Sequence, residues 1–236
     1  MSSAWSVLPH DELVSLAENL WWVEGDLPNM SLRRSMTVAR TDDGRLALHS
    51  AIALHEEALV ELQSLGELTW LIVPNGWHRL DAAQYKARFP YLKVVCPAKA
   101  KAAVEKVVEV DSSYEELGEL GPGVTLEPFE PNRSMEGSMV VRSRDGVTLT
   151  LTDSLFNLPH QDGMFWWFYG RVLGATGGPR ITPITRAMLT FTRTRSGYKR
   201  WLKKWDDTGD VVRLIPGHGA VIHQAAPTLT QLANSL

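Results

Sequence analysis

Residues 149–157, Leu-Thr-Leu-Thr-Asp-Ser-Leu-Phe-Asn, constrain the fold more than any other stretch of this chain. Apolar residues alternate with threonine from Val147 to Thr152, the period of a strand with one buried face. Asp153 stands where that strand ends, and Leu155 and Phe156 follow at once. A carboxylate between buried neighbours at the C-terminal end of a strand is placed to orient a ligand or hold a metal ion. The commoner fate of such a residue is to cap a turn. Two other strand ends in the chain bear on the choice.

The rest of the chain alternates in a way that predicts an α/β layer structure. Residues 11–20 carry a short helical pattern through Leu13, Leu16 and Leu20, and residues 21–25 and 36–39 read as strands. Asp42-Asp43-Gly44 is a hairpin turn that returns residues 45–49 along the preceding strand. Helices are expected over 56–65, 81–89 and 98–107, with buried strands over 70–73 and 93–96 between them. Residues 114–131 read as irregular, with a turn at Gly121-Pro122-Gly123. A second hairpin is centred on Asp145-Gly146, residues 211–215 form a strand, and Pro216-Gly217-His218-Gly219 is a tight turn before a terminal helix over 227–236.

Residues 159–205 form an expected helical insert in a single domain spanning 1–236. The insert opens with the aromatic run Phe165, Trp166, Trp167, Phe168 and Tyr169, too apolar to lie exposed, which caps the cleft or makes a homodimer contact. It ends in a basic run with Arg193, Arg195, Lys199, Arg200, Lys203 and Lys204, interleaved with Tyr198 and Trp201. Such a run can bind an anionic polymer, but a solvated helix face with its aromatic residues packed inward is the commoner outcome. The nine tryptophans are expected mainly in the core, with their indole N–H groups bonded at its edge.

The formal net charge of −3 argues neither for nor against nucleic acid over the chain as a whole, and nucleic acid is not the expected partner. Cys96 is the one cysteine, which excludes an intrachain disulfide and fits a reducing compartment. No window approaches the ~20 apolar residues that span a bilayer. The first residues lack a basic stretch leading into an apolar core, so neither a leader nor a membrane partner is expected and the location is read as cytoplasmic.

Three polar strand ends now share one pattern: Asn75-Gly76-Trp77-His78, Asp153, and His218 within Pro-Gly-His-Gly. Side chains on strand-end loops above a rigid sheet form the usual layout of an α/β site. In order and spacing, residues 36–222 resemble the metallo-β-lactamase superfamily. Thr152-Asp153-Ser154-Leu155-Phe156 resembles its bridging-Asp motif, Pro216-Gly217-His218-Gly219 its last-His motif, and Glu136-Gly137-Ser138 the end of its third-His turn. Together with Asn19 to Gly25 (Asn-Leu-Trp-Trp-Val-Glu-Gly) and Leu48-His49-Ser50, the chain resembles a branch of that superfamily classed as a domain of unknown function. The resemblance implies a four-layer αββα sandwich with Asn75, Asp153 and His218 meeting at one edge.

The departures from the pattern bear on chemistry. Where the superfamily carries H-x-H-x-D-H, this chain has Asn75, Trp77, Arg79 and Leu80 at the four ligand positions, and Ser134 or Met135 stands in for the third His. Arg79 in that register points toward the metal position and pairs with Asp153 or another carboxylate, its charge opposing a second dication. A dinuclear centre therefore fits poorly. His78 lies one residue from a ligand position, so His78, Asp153 and His218 make a two-His, one-carboxylate set for a single zinc or iron ion. The alternative is that His78 bonds Asp153 or a backbone carbonyl and no metal binds. His49 is expected as a supporting, ligand-binding residue at the same rim, and His160 lies just past Asp153 without matching a ligand position. His10, His55 and His223 are expected at the surface.

Three functions follow. The first is a scaffold with a degenerate centre that binds a small ligand or partner without hydrolysis. The second is a mononuclear metallohydrolase acting on an ester, amide or phosphoester, with Asp153 and His218 at the chemistry and Asn75, Arg79 and His49 near the ligand. The third is a binder of an anionic polymer through residues 193–204. The cofactor is accordingly none, or one zinc or iron ion.

Overall fold

The computed structural model describes residues 5–129, 135–160, 163, 170 and 175–236. Its first sheet runs in chain order through β1 (Val14–Ala17), β2 (Leu20–Leu27), β3 (Met30–Arg40), β4 (Arg45–His49), β5 (Glu67–Ile72), β6 (Lys93–Cys96) and β7 (Ser112–Ser113). The first four are antiparallel and joined by hairpins. From β4 onward the pairing is parallel. Parallel neighbours require crossovers, and these are α1 (Glu56–Ser64), α2 (Ala82–Arg88) and α3 (Lys101–Val104).

A second sheet has the order β14-β11-β10-β9-β8. Its strands are β8 (Glu119–Gly121), β9 (Val124–Pro128), β10 (Gly137–Ser143), β11 (Gly146–Thr150) and β14 (Val211–Ile215). A small third sheet joins β13 (Gly178–Arg180), β12 (Phe156–Leu158) and β15 (His218–Gly219).

Strand periodicity decides the layers. Leu46 and Leu48 of β4, Leu71 of β5, and Val94 and Cys96 of β6 pack with Leu59, Leu62, Tyr85 and Val104 from the outer helices. Their alternates Ala47, Trp70, Ile72 and Val95 meet Leu126, Met139, Val141 and Ile215 of the second sheet. The opposite face of that second sheet, through Val147, Leu149 and Leu214, receives Tyr198, Leu202 and Trp205 of α6 (Arg195–Thr208) and Leu229 and Leu232 of α7 (Ala225–Asn234). The result is the four-layer αββα sandwich expected from the sequence.

Several local expectations are corrected. Residues 14–17 form an edge strand on β2 rather than part of a helix. A helix this short is marginal by itself, whereas the open edge of β2 supplies partners for its backbone. The stretch expected to be irregular holds α4 (Tyr114–Leu117), closed by a capping box between Ser113 and Glu116, and the β8–β9 hairpin. The indole N–H groups of Trp22 and Trp205 are buried without a partner among the described residues, contrary to the expected edge bonds.

The aromatic run at residues 165–169 lies outside the described residues. The described helices of the 159–205 stretch, α5 (Pro183–Phe191) and α6, belong to the outer layer on the second sheet. In α6 the residues Tyr198, Trp201 and Trp205 are buried, so the aromatic side of the basic run is core. No helix among the described residues is long and apolar enough to cross a membrane.

Candidate metal centre

Parallel pairing of β11 with β14 brings two strand ends out side by side, with Thr150 opposite Ile215. The chain after β11 carries Asp153, and the chain after β14 carries His218. β5 ends beside them, tied to the second sheet by a bridge between Asn75 and Glu136 and by the Gly137 N–H on the Pro74 carbonyl at 2.9 Å. The three strand ends singled out in the sequence therefore meet at one edge of the sandwich. A β-carbon on Gly217 would lie 2.9 Å from both His78 Cε1 and Thr152 Cα, so only glycine allows these loops their approach.

His218 Nδ1 lies 2.6 Å from the Arg33 carbonyl oxygen. A carbonyl only accepts, so Nδ1 donates and Nε2 is the nitrogen turned to Asp153 Oδ1, at 3.7 Å. His78 is held in the same way, with Nδ1 2.9 Å from Ser50 Oγ and Nε2 3.3 Å from Asp153 Oδ1. The two rings stand 5.3 Å apart between centroids. Asn75 fixes the group from below. Its amide donates to Asp153 Oδ2 at 2.7 Å and to Thr152 Oγ1 at 3.1 Å, while its oxygen accepts from the N–H groups of Trp77 and His78 at 2.8 and 2.9 Å. This Asx-type turn sets the direction of His78.

The surrounding chain braces the carboxylate further. Thr185 Oγ1, in the first turn of α5, donates to the Asp153 carbonyl at 2.8 Å, and the Tyr198 hydroxyl donates to the Ser154 carbonyl at 3.2 Å. Buried Glu136 accepts from the Thr152 N–H at 2.7 Å and from Ser154 Oγ at 2.8 Å. Burial raises the pKa of Glu136 and the neighbouring Asp153 charge adds to that effect, with the Thr152 and Ser154 bonds opposing. On the other side, Glu24 accepts from the Gly219 N–H and from Arg33, and burial outweighs both in raising its pKa. For Asp153 the balance is reversed. Burial opposes its charge, but His78 and His218 beside it hold the carboxyl well below the usual range.

One ligand atom each from His78, Asp153 and His218 lies within 4.8 Å of the others. Two ligand atoms bound ~2.1 Å from a tetrahedral ion lie about 3.4 Å apart, and the two imidazole-to-carboxylate distances of 3.3 and 3.7 Å bracket that value. Each histidine also has its second nitrogen anchored, the usual support of a metal-ligating imidazole. The donor set therefore fits one divalent ion. Among the described residues, the Asn75 oxygen is used by two N–H groups, and Trp77 and Leu80 carry no ligand atom for a second ion.

Two expected residues fall elsewhere. Arg79 donates to the Ala103 carbonyl and has no carboxylate partner among the described residues, so its expected pairing with Asp153 is corrected. The guanidinium reaches α3, where a helix-terminal carbonyl accepts it without the cost of burying a charge beside the site. His49 is 3 % exposed and sits beneath the site on the inter-sheet face, 3.3 Å from Thr150 Oγ1. Burial, with the nearby His78 adding to it, pushes its pKa down to about 3, so it is a neutral core residue and not part of the cavity lining. His160 bonds Thr176 Oγ1 at 2.9 Å.

The arginine at the site is Arg34. It is 5 % exposed, paired with buried Asp81, and lines the cavity with His78, Asp153 and His218. Asp81 Oδ2 also accepts from the Ala53 N–H at 2.8 Å, and Oδ1 accepts from Gln84 Nε2 at 2.7 Å. A sequence signal for Arg34 existed. It shares strand phase with buried Met36 and Val38, so its charge required a partner. Ser50 was readable only as a neighbour of His49. Its backbone φ of +56° places it in the left-handed region, and its hydroxyl anchors His78.

No protein-family model matches the sequence, and no curated protein matches it. Among solved structures, the chain is similar to the DIM-1 metallo-β-lactamase in a crystal exposed to ceftazidime, with a TM-score of 0.59 and 12 % identity over 98 % of this chain and 99 % of that one. It is similar also to a metallo-β-lactamase from Pontibacter korlensis, with a TM-score of 0.59 and 11 % identity over 95 % of this chain and 99 % of that one. The layer order, the edge where three loops meet and these likenesses agree: this chain has the metallo-β-lactamase fold.

Proposed function

We propose that the protein is a mononuclear metalloprotein of hydrolytic type, with one divalent transition-metal ion held by His78, Asp153 and His218. The observation that carries this reading is the convergence of both Nε2 atoms on one carboxylate oxygen while each Nδ1 is tied off, to Ser50 and to Arg33. An ion held there would supply Lewis acidity and ease the deprotonation of water. The chain's own part is positional. Asn75 fixes the Asp153 carboxylate, Ser50 and the Arg33 carbonyl aim the imidazoles, and the cavity of about 120 Å³ leaves room for a compact ligand. The lone, buried Cys96 supports a reducing, cytoplasmic setting.

A non-hydrolytic ligand-binding scaffold is the second reading. One observation favours it: the Asp153 carboxylate is already engaged by protein groups, the Asn75 amide on Oδ2 at 2.7 Å and the His78 and His218 imidazoles beside Oδ1 at 3.3 and 3.7 Å. Metal analysis of protein purified without chelator or added metal separates the two. About one equivalent of zinc or iron, lost in Asp153→Ala and in His218→Ala, is the expected result. A folded wild type that neither retains nor takes up a divalent ion would leave the scaffold as the function.

A further inference from the structure

The charge and shape of the cavity select among the substrates that a hydrolytic centre could take, an inference that rests on the hydrolytic reading above. Among the described residues, the cations around the mouth are committed. Arg34 is spent on Asp81, and Arg33 on Asp11, Glu24 and Asp26. Arg79 is drawn off to the Ala103 carbonyl. A phosphoester would therefore find, beyond the one ion proposed above, no free guanidinium or ammonium among the described residues to receive its negative charge, and phosphate sites usually add such groups to a metal.

The rim is apolar instead. Leu27 and Leu80 line the cavity with Trp77, and Leu80 is 46 % exposed. The Trp77 indole is 72 % exposed although its backbone N–H is pinned to Asn75 Oδ1 at 2.8 Å. A fixed backbone carrying an exposed indole on the same turn as His78 makes a platform for an apolar group, and exposed apolar side chains around a polar floor mark ligand sites. The cavity of about 120 Å³ matches only a few water molecules at ~30 Å³ each, so the group that enters is small.

We infer that the substrate class is a neutral carboxylic acyl compound, an ester or an amide, with a compact apolar acyl group, seated on Trp77 and Leu80 with its carbonyl toward His78 and His218. In its hydrolysis the oxygen of water forms a bond to the acyl carbon and the bond from that carbon to the leaving oxygen or nitrogen breaks. The proton given up by the water ends on the departing alcohol oxygen or amine nitrogen, and no oxidant or reductant is needed.

The test uses two probes with the same leaving group, 4-nitrophenyl butyrate and 4-nitrophenyl phosphate. Binding to chelator-treated, metal-free protein is read by equilibrium dialysis, so that pocket selectivity is measured apart from turnover. Saturable binding of the butyrate, at least tenfold tighter than the phosphate and weakened roughly tenfold in Trp77→Ser, is expected. Equal or tighter binding of the phosphate, no saturable binding of the butyrate, or indifference to Trp77→Ser would each overturn the assignment. Trp77 is largely exposed, so loss of folding is not expected to confuse the readout, and circular dichroism checks it. If the butyrate binds as described but no metal is taken up, the hydrolytic reading fails while the selectivity of the pocket stands.

Discussion

Removing the carboxylate of Asp81 should be among the most destabilising single changes in the first half of the chain. Arg34 and Asp81 are both about 5 % exposed, and Asp81 also receives the Ala53 N–H and the Gln84 amide. Asp81→Ala leaves a guanidinium buried beside the cavity with, among the described residues, the Asp26 and Ala51 carbonyls as its remaining acceptors, each at 3.4 Å. Breaking one partner out of a buried pair costs about 3–5 kcal/mol. For a domain of this size that corresponds to a fall in melting temperature of roughly 6–20 °C. The double variant Arg34→Met, Asp81→Leu removes both charges together, and apolar replacement of a whole pair is often close to neutral. The Ala53 N–H still loses its acceptor, at about 1–3 kcal/mol. Urea denaturation of the wild type, of Arg34→Met and Asp81→Leu singly, and of the double variant gives the coupling. The double variant should be more stable than Asp81→Ala. A cost below about 1 kcal/mol for Asp81→Ala, or a double variant at the sum of Arg34→Met and Asp81→Leu, would refute the claim that this pair is one closed unit.

Two further outcomes follow from the same geometry. Ser50→Ala and Ser50→Gly both remove the hydroxyl that anchors His78, and loss of such a support typically lowers metal affinity 10–100-fold. Glycine also relieves the left-handed backbone, so Ser50→Gly should be about 1 kcal/mol more stable than Ser50→Ala, and equal stabilities would count against strain at this position. His49 is neutral when folded, with its pKa down to about 3, but titrates near 6.5 when unfolded. Between these values the unfolded chain binds the extra proton, so stability falls as pH drops through that window, by at most about 1.4 kcal/mol per pH unit from this group. His49→Gln should flatten the pH dependence of urea stability by that slope, and an unchanged slope would show that His49 does not titrate on unfolding.

The sequence by itself placed most of the strands and the polar residues at their ends, and the resemblance carried by three of those strand ends supplied the layers and the edge of the site. Alternation in residues 147–152 marks one buried face, because successive residues of a strand point in opposite directions, whereas the apolar runs within 45–49 and 93–96 mark strands buried on both faces, whose two sides only the packing assigns. Asp153 and His218 were legible because each is a polar group that follows a buried strand. The sequence did not determine where long side chains go from there. Arg79 and Arg34 are both arginines near the site, and their chain positions favour Arg79. Only the packed structure offers Arg34 a buried carboxylate at Asp81 and gives Arg79 a helix-terminal carbonyl at Ala103. An arginine side chain spans several ångströms and follows its partner, and partners distant in sequence are chosen by tertiary contact. The short strand at residues 14–17 has the same cause, since a helical pattern of a few residues is overruled when a neighbouring strand offers its edge. His78 shows the division most plainly. Its motif position is one residue out of register, and it becomes a ligand candidate only because Asn75, Ser50 and the absence of a side chain at Gly217 turn its ring toward Asp153.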